Sequence, residues 1–297
     1  VYELEALESR PTELFEQMRS GLTHPRPMLN DLIQISPQPL PDQAQFLLAW
    51  IAFLRTQNGR EADGLLREAV WLARGTAGLE TLARCVRNVG DLIIVAPAEA
   101  QSGIGHRITV RTPIRAHQID TNAYRVEGTP ADCSRIALTH LATDADMLIA
   151  GINPGANLGS DVYNSGTVAA AREAAILGCP AIAVSQYIAR DQQIDWNITG
   201  QHAKPVLKML INHQLPRAHF WNVNLPHPLK KDTDLGFQLC RLDIHPHRYD
   251  YVKNGDEYTY NGSIHDRPRD SGTDVAVCFD EGKVAITQIG IGTTSLS

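Results

Sequence analysis

Residues 148–185 read LIAGINPGANLGSDVYNSGTVAAAREAAILGCPAIAVS. The stretch begins with an apolar run and continues through a loop rich in glycine and asparagine. A helical pattern follows over Val168 to Leu177, and a second apolar run covers Ala181 to Val184. Apolar runs of strand length without polar alternation indicate strands that are covered on both faces, as in a parallel sheet. The stretch therefore predicts a β-α-β unit whose first strand leads into a polar loop.

The same alternation extends toward the N-terminus. A helical pattern over residues 79–89 is followed by an apolar run over residues 91–96, and residues 130–141 are again helical. This succession predicts an α/β fold with a doubly wound, mostly parallel sheet. Beyond Phe220 the pattern predicts short antiparallel ribbons added to the sheet, from apolar residues in alternating positions: Tyr258, Tyr260, Val275, Val277, Val284 and Ile286.

The first 75 residues have a different texture. Residues 42–56 and 60–73 each carry apolar residues at helical spacing, and Asn58-Gly59 between them indicates a turn. We therefore predict a helical appendage over residues 1–75 and an α/β domain over residues 76–297.

Composition excludes several classes of protein. The chain has 297 residues, 43% of them apolar and 20% charged, which is typical of a folded domain rather than a disordered one. Its net charge is −6 and it has no basic stripe, so a nucleic-acid polymer is not expected as a partner. No apolar stretch is long enough for a membrane span, and the N-terminal residues lack the pattern of a signal peptide. The five widely spaced cysteines predict buried thiols and a cytoplasmic location rather than a zinc site.

Three polar loops follow predicted strands or precede a predicted helix. In open α/β sheets, ligands bind beyond the carboxyl ends of the strands. The first loop, Ala96 to His106, contains Gly103 and Gly105, which would let backbone N–H groups approach an anion. A flexible turn explains this loop equally simply. For His106 we consider both a contact with substrate and a structural role.

The other two loops contain the residue types that bind cations and phosphate. Asn153 and Asn157 could supply neutral oxygens to a hard cation or hydrogen bonds to a phosphate, or they could only allow left-handed turns. Ser165, Gly166 and Thr167 directly precede the helix of residues 168–177, where free backbone N–H groups favour an anion. An ordinary helix cap by Ser165 or Thr167 is the alternative.

Taken together, these loops resemble the SurE family of metal-dependent nucleotide phosphatases. The matching segments occur in the family's order and cover about 210 of the 297 residues: IIVAPAEAQSGIGH, VEGTPADC, the stretch of residues 148–185, WNVNLP, and GTDVAVCFDEGKVAIT. The resemblance implies a Rossmann-like core and a C-terminal extension that often forms homodimers or homotetramers. It also implies hydrolysis of nucleoside 5′- or 3′-monophosphates.

The resemblance also implies roles for individual residues. The family holds one divalent ion per subunit, often Mg²⁺ or Mn²⁺, with two adjacent aspartates, a serine and an asparagine. The serine corresponds to Ser102 and the asparagine to Asn153. Asn157 and the turn of Ser165, Gly166 and Thr167 would then face the phosphate.

The aspartate pair is the point of departure from the family. The family places Asn-Asp-Asp-Gly at the end of its first strand, shortly before a Gly-Leu that here corresponds to Gly78-Leu79. Counting back reaches Trp71 and Leu72, which cannot bind a metal, and no Asp-Asp pair occurs in the chain. No residue is therefore predicted as the catalytic group. Ser102 and Asn153 are neutral, and Mg²⁺ loses water reluctantly without carboxylate ligands.

Three hypotheses remain open at this point. The first is an active nucleotidase whose carboxylates come from elsewhere, such as Asp161, Asp132, Asp63 or a second chain. The second is a catalytically impaired homologue that binds a nucleotide or phosphate as a sensor or scaffold. The third is a chain in which the first strand of the fold has been lost or rearranged.

Overall fold

A computed structural model describes residues 77–87, 89–227, 233–246 and 250–292. The predicted helical appendage of residues 1–75 lies outside these ranges, as does the position that corresponds to the family's first strand. The α-helices are α1 Ala77–Val86, α2 Pro130–Ile136, α3 Gly166–Ile176, α4 Trp196–Ile211 and α5 Asp274–Phe279. The strands are β1 Ile94–Pro97, β2 Ala116–Asp120, β3 Ala123–Val126, β4 Leu148–Pro154, β5 Ala181–Gln186, β6 His219–Leu225, β7 Phe237–Leu239, β8 Tyr251–Asn254, β9 Glu257–Tyr260 and β10 Val284–Gly290.

The main sheet has the strand order β4-β5-β6-β10-β7. Strands β4, β5 and β6 are mutually parallel, β10 pairs antiparallel with β6, and β7 is parallel to β10. A smaller sheet has the order β1-β3-β2, in which β1 and β3 are parallel. The prediction of an α/β fold with a mostly parallel sheet is confirmed.

Strand β5 explains why its sequence reads as a continuous apolar run. All six of its residues are buried. Ile182 and Val184 lie in one hydrophobic cluster with Leu207 of α4, while Ala181 and Ala183 lie in another with Val168 of α3. The helices therefore cover both faces of the sheet, which leaves no polar side for the strand to display.

The two sheets lie side by side. Helix α2 packs on β1, helix α3 packs on β4, and the two helices contact each other. Among the described strands, β1 pairs only with β3 and β4 pairs only with β5. The first polar loop follows β1, and the second polar loop follows β4.

The predicted start of α2 is confirmed in detail. Thr129 caps the helix, and its hydroxyl accepts a hydrogen bond from the N–H of Asp132. The Asp132 carboxylate accepts in return from the N–H of Thr129, which completes a capping box. Pro130 occupies the first turn, and a π-helical turn over Ala137–Leu141 extends the helix to the predicted end.

One part of the C-terminal prediction is wrong. Val275 and Val277 were expected to alternate on a strand, but they lie in helix α5. Residues 275–278 are all apolar and buried, so no polar residue among them marks the helical period and the valines alone suggest a strand. In addition, β7 pairs in parallel with β10 rather than in an antiparallel ribbon. The hairpin of β8 and β9 is antiparallel, as predicted.

No described helix is both long and apolar enough to span a lipid bilayer.

Close packing of α1 on β4 yields a prediction about Gly78. A Cβ atom at this position would lie 1.9 Å from the carbonyl oxygen of Ile152. Because this oxygen belongs to the backbone, it cannot move aside cheaply. We expect Gly78→Ala to lower the free energy of unfolding by about 2–3 kcal/mol, measured by urea denaturation. Gly90→Ala is the control, since no heavy atom lies within 4 Å of its added Cβ. Equal stability of the two variants would contradict this packing.

Candidate active site

The N-terminus of α3 is where two other chain segments meet. A Cβ atom on Gly166 would lie 2.9 Å from Cγ of Pro130, the first residue of α2. The same atom would lie 3.4 Å from the carbonyl oxygen of Gln101 and from Cγ2 of Ile104. A backbone bond adds to this contact, since the N–H of Gly105 donates to the carbonyl of Asn164 at 2.9 Å. The first polar loop therefore packs directly on the first turn of α3.

Helix geometry leaves donors at this first turn. Ser165 is the N-cap of α3, and its hydroxyl accepts from the N–H of Val168 at 3.1 Å. The first intrahelical bond of the segment joins the N–H of Ala169 to the carbonyl of Ser165. The N–H groups of Gly166 and Thr167 precede that bond, so the helix itself supplies no acceptor for them. The cap predicted as the simpler alternative for Ser165 is present, and it is compatible with an anion at the remaining donors.

Asn153 and Asn157 are held in different ways. The side-chain N–H of Asn153 donates to the carbonyl of Gly155 at 2.7 Å, which leaves Oδ1 of Asn153 as an acceptor. Asn157 is 7% exposed, and its side-chain N–H donates to the Ser185 hydroxyl at 2.7 Å. Neither asparagine is among the described residues with positive φ, whereas Gly151, Gly155 and Gly159 are. The glycines therefore make the turns, and left-handed conformation does not explain the asparagines.

Sequence reasoning missed the two residues that hold Asn157 in place. The N–H of Asn157 donates to Oδ1 of Asn224, and its carbonyl accepts from the side-chain N–H groups of Asn222 and Asn224. Both residues lie on β6 and are at most 1% exposed. Their signal was an Asn-x-Asn alternation in WNVNLP, on a strand that is otherwise apolar. A buried amide side chain thus pairs with the loop backbone as a neighbouring strand would.

The C-terminal segment holds the far end of the same loop. Buried Asp274 accepts N–H bonds from Gly159, Asp243 and Val275. Burial raises the pKa of Asp274 to about 6, although these three bonds and the charge of Arg267 oppose the shift. Arg267 also donates to the carbonyl of Leu158. The loop is therefore fixed from both the sheet and the C-terminal segment.

Comparison with known proteins assigns the family. The family described as "Survival protein SurE" matches residues 70–248. This chain belongs to the SurE family. A Synechocystis sp. protein assigned as a 5′-nucleotidase is 42% identical over 238 residues, which cover 80% of this chain and 98% of that protein. The "5′-nucleotidase SurE" of Nitrosococcus oceani is 38% identical over 225 residues, covering 73% of this chain and 87% of that enzyme.

A solved structure agrees with this assignment. The crystal structure of the SurE protein from Aquifex aeolicus superposes with a TM-score of 0.65 at 29% sequence identity. The match covers 73% of this chain and 90% of that chain. The SurE fold is therefore shared, and the polar loops of this chain occupy a family framework.

The described donors do not by themselves fit a divalent ion. Ser102 is exposed in the first loop, and Asn153 offers one amide oxygen. Both are neutral, whereas Mg²⁺ and Mn²⁺ sites normally include carboxylates. Within the described ranges, His, Cys, Asp and Glu side chains form no group of three or more that could hold a metal.

Two of the carboxylates considered as substitutes have other partners. Asp132 accepts from the N–H and hydroxyl of Thr109 and from the N–H of Thr129. Burial raises the pKa of Asp132, but these hydrogen bonds outweigh burial and the pKa is lowered. Asp161 forms an ion pair of 2.7 Å with Arg267. Asp63, Trp71 and Leu72 lie outside the described residues. Asp132 and Asp161 are therefore both held by contacts with other protein groups.

The hydrogen bonds from Asn222 and Asn224 to Asn157 predict that the two asparagines contribute unequally to stability. Asn224→Ala removes the acceptor of a buried N–H and one donor to the Asn157 carbonyl, which should cost about 1–3 kcal/mol. Asn222→Ala should lower the free energy of unfolding by less, because the Asn157 carbonyl keeps its bond to Asn224. The substitution also removes Oδ1 of Asn222, a buried atom that has no hydrogen-bond partner. Urea denaturation measures both, and Asn261→Ala on the exposed hairpin is the control. An Asn222 variant less stable than the Asn224 variant would contradict this reading.

Proposed function

We propose that this chain is a metal-dependent phosphatase that hydrolyses nucleoside 5′- or 3′-monophosphates to nucleoside and phosphate. The observation that carries the proposal is the packing at the first turn of α3. The first polar loop, which contains Ser102 and is called the Ser102 loop below, and the start of α2 both pack against this turn. That arrangement supports a phosphate site, and the relatives named as 5′-nucleotidases support a nucleotide as its source.

In this proposal, the phosphate is bound chiefly by backbone groups. The N–H groups of Gly166 and Thr167 point beyond the helix end, and the helix dipole favours negative charge there. Ser165 fixes the turn through its cap, and Asn157 is the further residue that we propose faces the phosphate. These contacts need no ionisable side chain, so phosphate binding should persist when the metal ligands are absent or substituted.

Ser102 and Asn153 are the proposed metal ligands, with Mg²⁺ or Mn²⁺ as the ion and one ion per subunit. Because their oxygens are neutral, the ion requires carboxylates from other residues. The acidic residues in the sequence between residues 60 and 76 are Glu61, Asp63 and Glu68. These residues and a second chain are candidate sources.

The same deficit supports a second candidate function. No Asp-Asp pair occurs in the sequence, and in the described part of the chain His, Cys, Asp and Glu side chains form no group of three or more that could hold a metal. A phosphate site that works through backbone N–H groups could outlast the loss of catalysis. The alternative is therefore an impaired SurE homologue that binds a nucleotide or phosphate as a sensor or scaffold.

The proposal includes a homodimer or homotetramer in the cytoplasm, with no nucleic-acid polymer or membrane as partner. The hairpin of β8 and β9 supports self-association, since Tyr251, Val252, Tyr258 and Tyr260 are each at least half exposed. A hairpin of two strands gains little stability on its own and usually packs on another surface. All five cysteines are free thiols, which suits a reducing compartment.

The test is hydrolysis of 5′-AMP, 3′-AMP and p-nitrophenyl phosphate with Mn²⁺ or Mg²⁺, each against an EDTA control. We expect metal-dependent release of phosphate and a loss of about tenfold or more in Asn153→Ala, because a metal ligand is removed. Asn212→Ala, exposed at the C-terminal end of α4, is the matched control and should keep full activity.

Folded protein that releases no phosphate above the EDTA baseline would refute the phosphatase. Saturable binding of 5′-AMP by such a protein would then establish the impaired homologue.

A further inference from the structure

Glu173 is a buried carboxylate on α3. The first turn of this helix, with Ser165, Gly166 and Thr167, is the proposed phosphate site and is called the phosphate turn below. Glu173 lies seven residues after Gly166, about two turns into α3, and its side chain is 2% exposed. A carboxylate at this depth is costly unless it is paired and hydrogen-bonded. The side chains that pair with Glu173 come from two other elements.

Each oxygen of Glu173 has its own partner. Oε1 lies 2.5 Å from Nε of Arg135, which belongs to α2. Oε2 lies 2.6 Å from Nε2 of His106, which ends the loop that contains Ser102. One buried group thus joins the helix of the phosphate turn to the two segments that pack on that turn.

His106 is held at both of its ring nitrogens. Nδ1 lies 3.5 Å from a guanidinium nitrogen of Arg172, and another nitrogen of that guanidinium donates to the carbonyl of Val162. With Nε2 on Glu173, the ring has no nitrogen left for a substrate. The structure therefore favours the structural role that the sequence left open for His106.

We propose that His106 and Glu173 are positioning residues that fix the Ser102 loop to the phosphate turn. The N–H of Gly105 bonds to the carbonyl of Asn164 beside this pair, so side-chain and backbone contacts act at the same end of the loop. The pair thus fixes the position of Ser102, the proposed metal ligand, relative to the N–H groups of the phosphate turn. The inference rests on the proposed function, because that function gives Ser102 and the turn their roles.

Arg135 alone could neutralise Glu173, so the contact with the loop is an additional constraint. Catalysis needs such a constraint, because a displacement of about 1 Å can reduce the rate about 100-fold. The chain also provides a comparison. Nε2 of His117 lies 3.0 Å from Oε1 of Glu127, and both of these side chains are more than 40% exposed. This second pair has the same chemistry, but it lies on the surface between β2 and the end of β3.

Hydrogen exchange of the full chain tests the positioning role without requiring activity. In His106→Ala, we expect the amide of Gly105, which bonds to the carbonyl of Asn164, to exchange about tenfold faster, while strand β5 is unchanged. His106→Gln, whose amide can still donate to Glu173, should restore most of the protection. His117→Ala should leave the loop as it is. Acceleration of less than about threefold in His106→Ala, or equal acceleration in His117→Ala, would overturn the proposal.

Glu173→Gln serves if His106→Ala does not fold, since it keeps the size of the side chain and removes its charge. If the Gly105 amide in the Ser102 loop of Glu173→Gln exchanges less than about threefold faster, the proposal is again overturned. Glu127→Gln is the matched control.

Steady-state kinetics supply the second readout. With 5′-AMP and Mn²⁺, we expect kcat of His106→Ala to fall about tenfold or more while KM changes less than about threefold, because the phosphate turn is intact. A raised KM with unchanged kcat would contradict the proposed role. Wild-type protein without turnover would refute the proposed function, and the exchange comparison would still decide whether the pair positions the loop.

Discussion

At the first turn of α3, Gly166 lets three segments of the chain approach one another closely. A Cβ at this position would lie too close to Cγ of Pro130, at 2.9 Å, and in contact with the carbonyl oxygen of Gln101, at 3.4 Å. Three segments therefore pack closely together here: the N-terminus of α3, the start of α2 and the Ser102 loop. The other features of the proposed site are built around this contact, because it brings the Ser102 loop and the start of α2 to the first turn of α3.

The remaining contacts hold this arrangement in place. Asn222 and Asn224 bind the backbone of Asn157 from the sheet, and Asp274 binds the N–H of Gly159 from the C-terminal segment. These side chains are buried and hydrogen-bonded to the loop backbone, as most polar groups in a protein interior are. A site that works through backbone donors needs such support, since backbone atoms cannot adjust by changing rotamer.

Much of the fold could be predicted from the sequence, and the exceptions have physical reasons. The apolar run of Ala181 to Val184 and the start of the helix at Pro130 have local signals, and both were predicted. The helix of Asp274 to Phe279 was missed because burial on all sides hides its period. Likewise, the resemblance pointed to the WNVNLP segment, but only the fold reveals that Asn222 and Asn224 contact Asn157, 65 or more residues away. The pairing of His106 with Glu173 is equally remote in sequence.

The central claim is that the first turn of α3 binds phosphate through its backbone, independently of a metal. The most direct measurement is a titration of the full chain with inorganic phosphate in EDTA, followed by the backbone amide resonances in NMR spectra. The account predicts saturable shifts that are largest at Gly166 and Thr167 and extend to Gly103 and Gly105. Shifts that are absent there, or that are scattered over surface lysines and arginines, would contradict it.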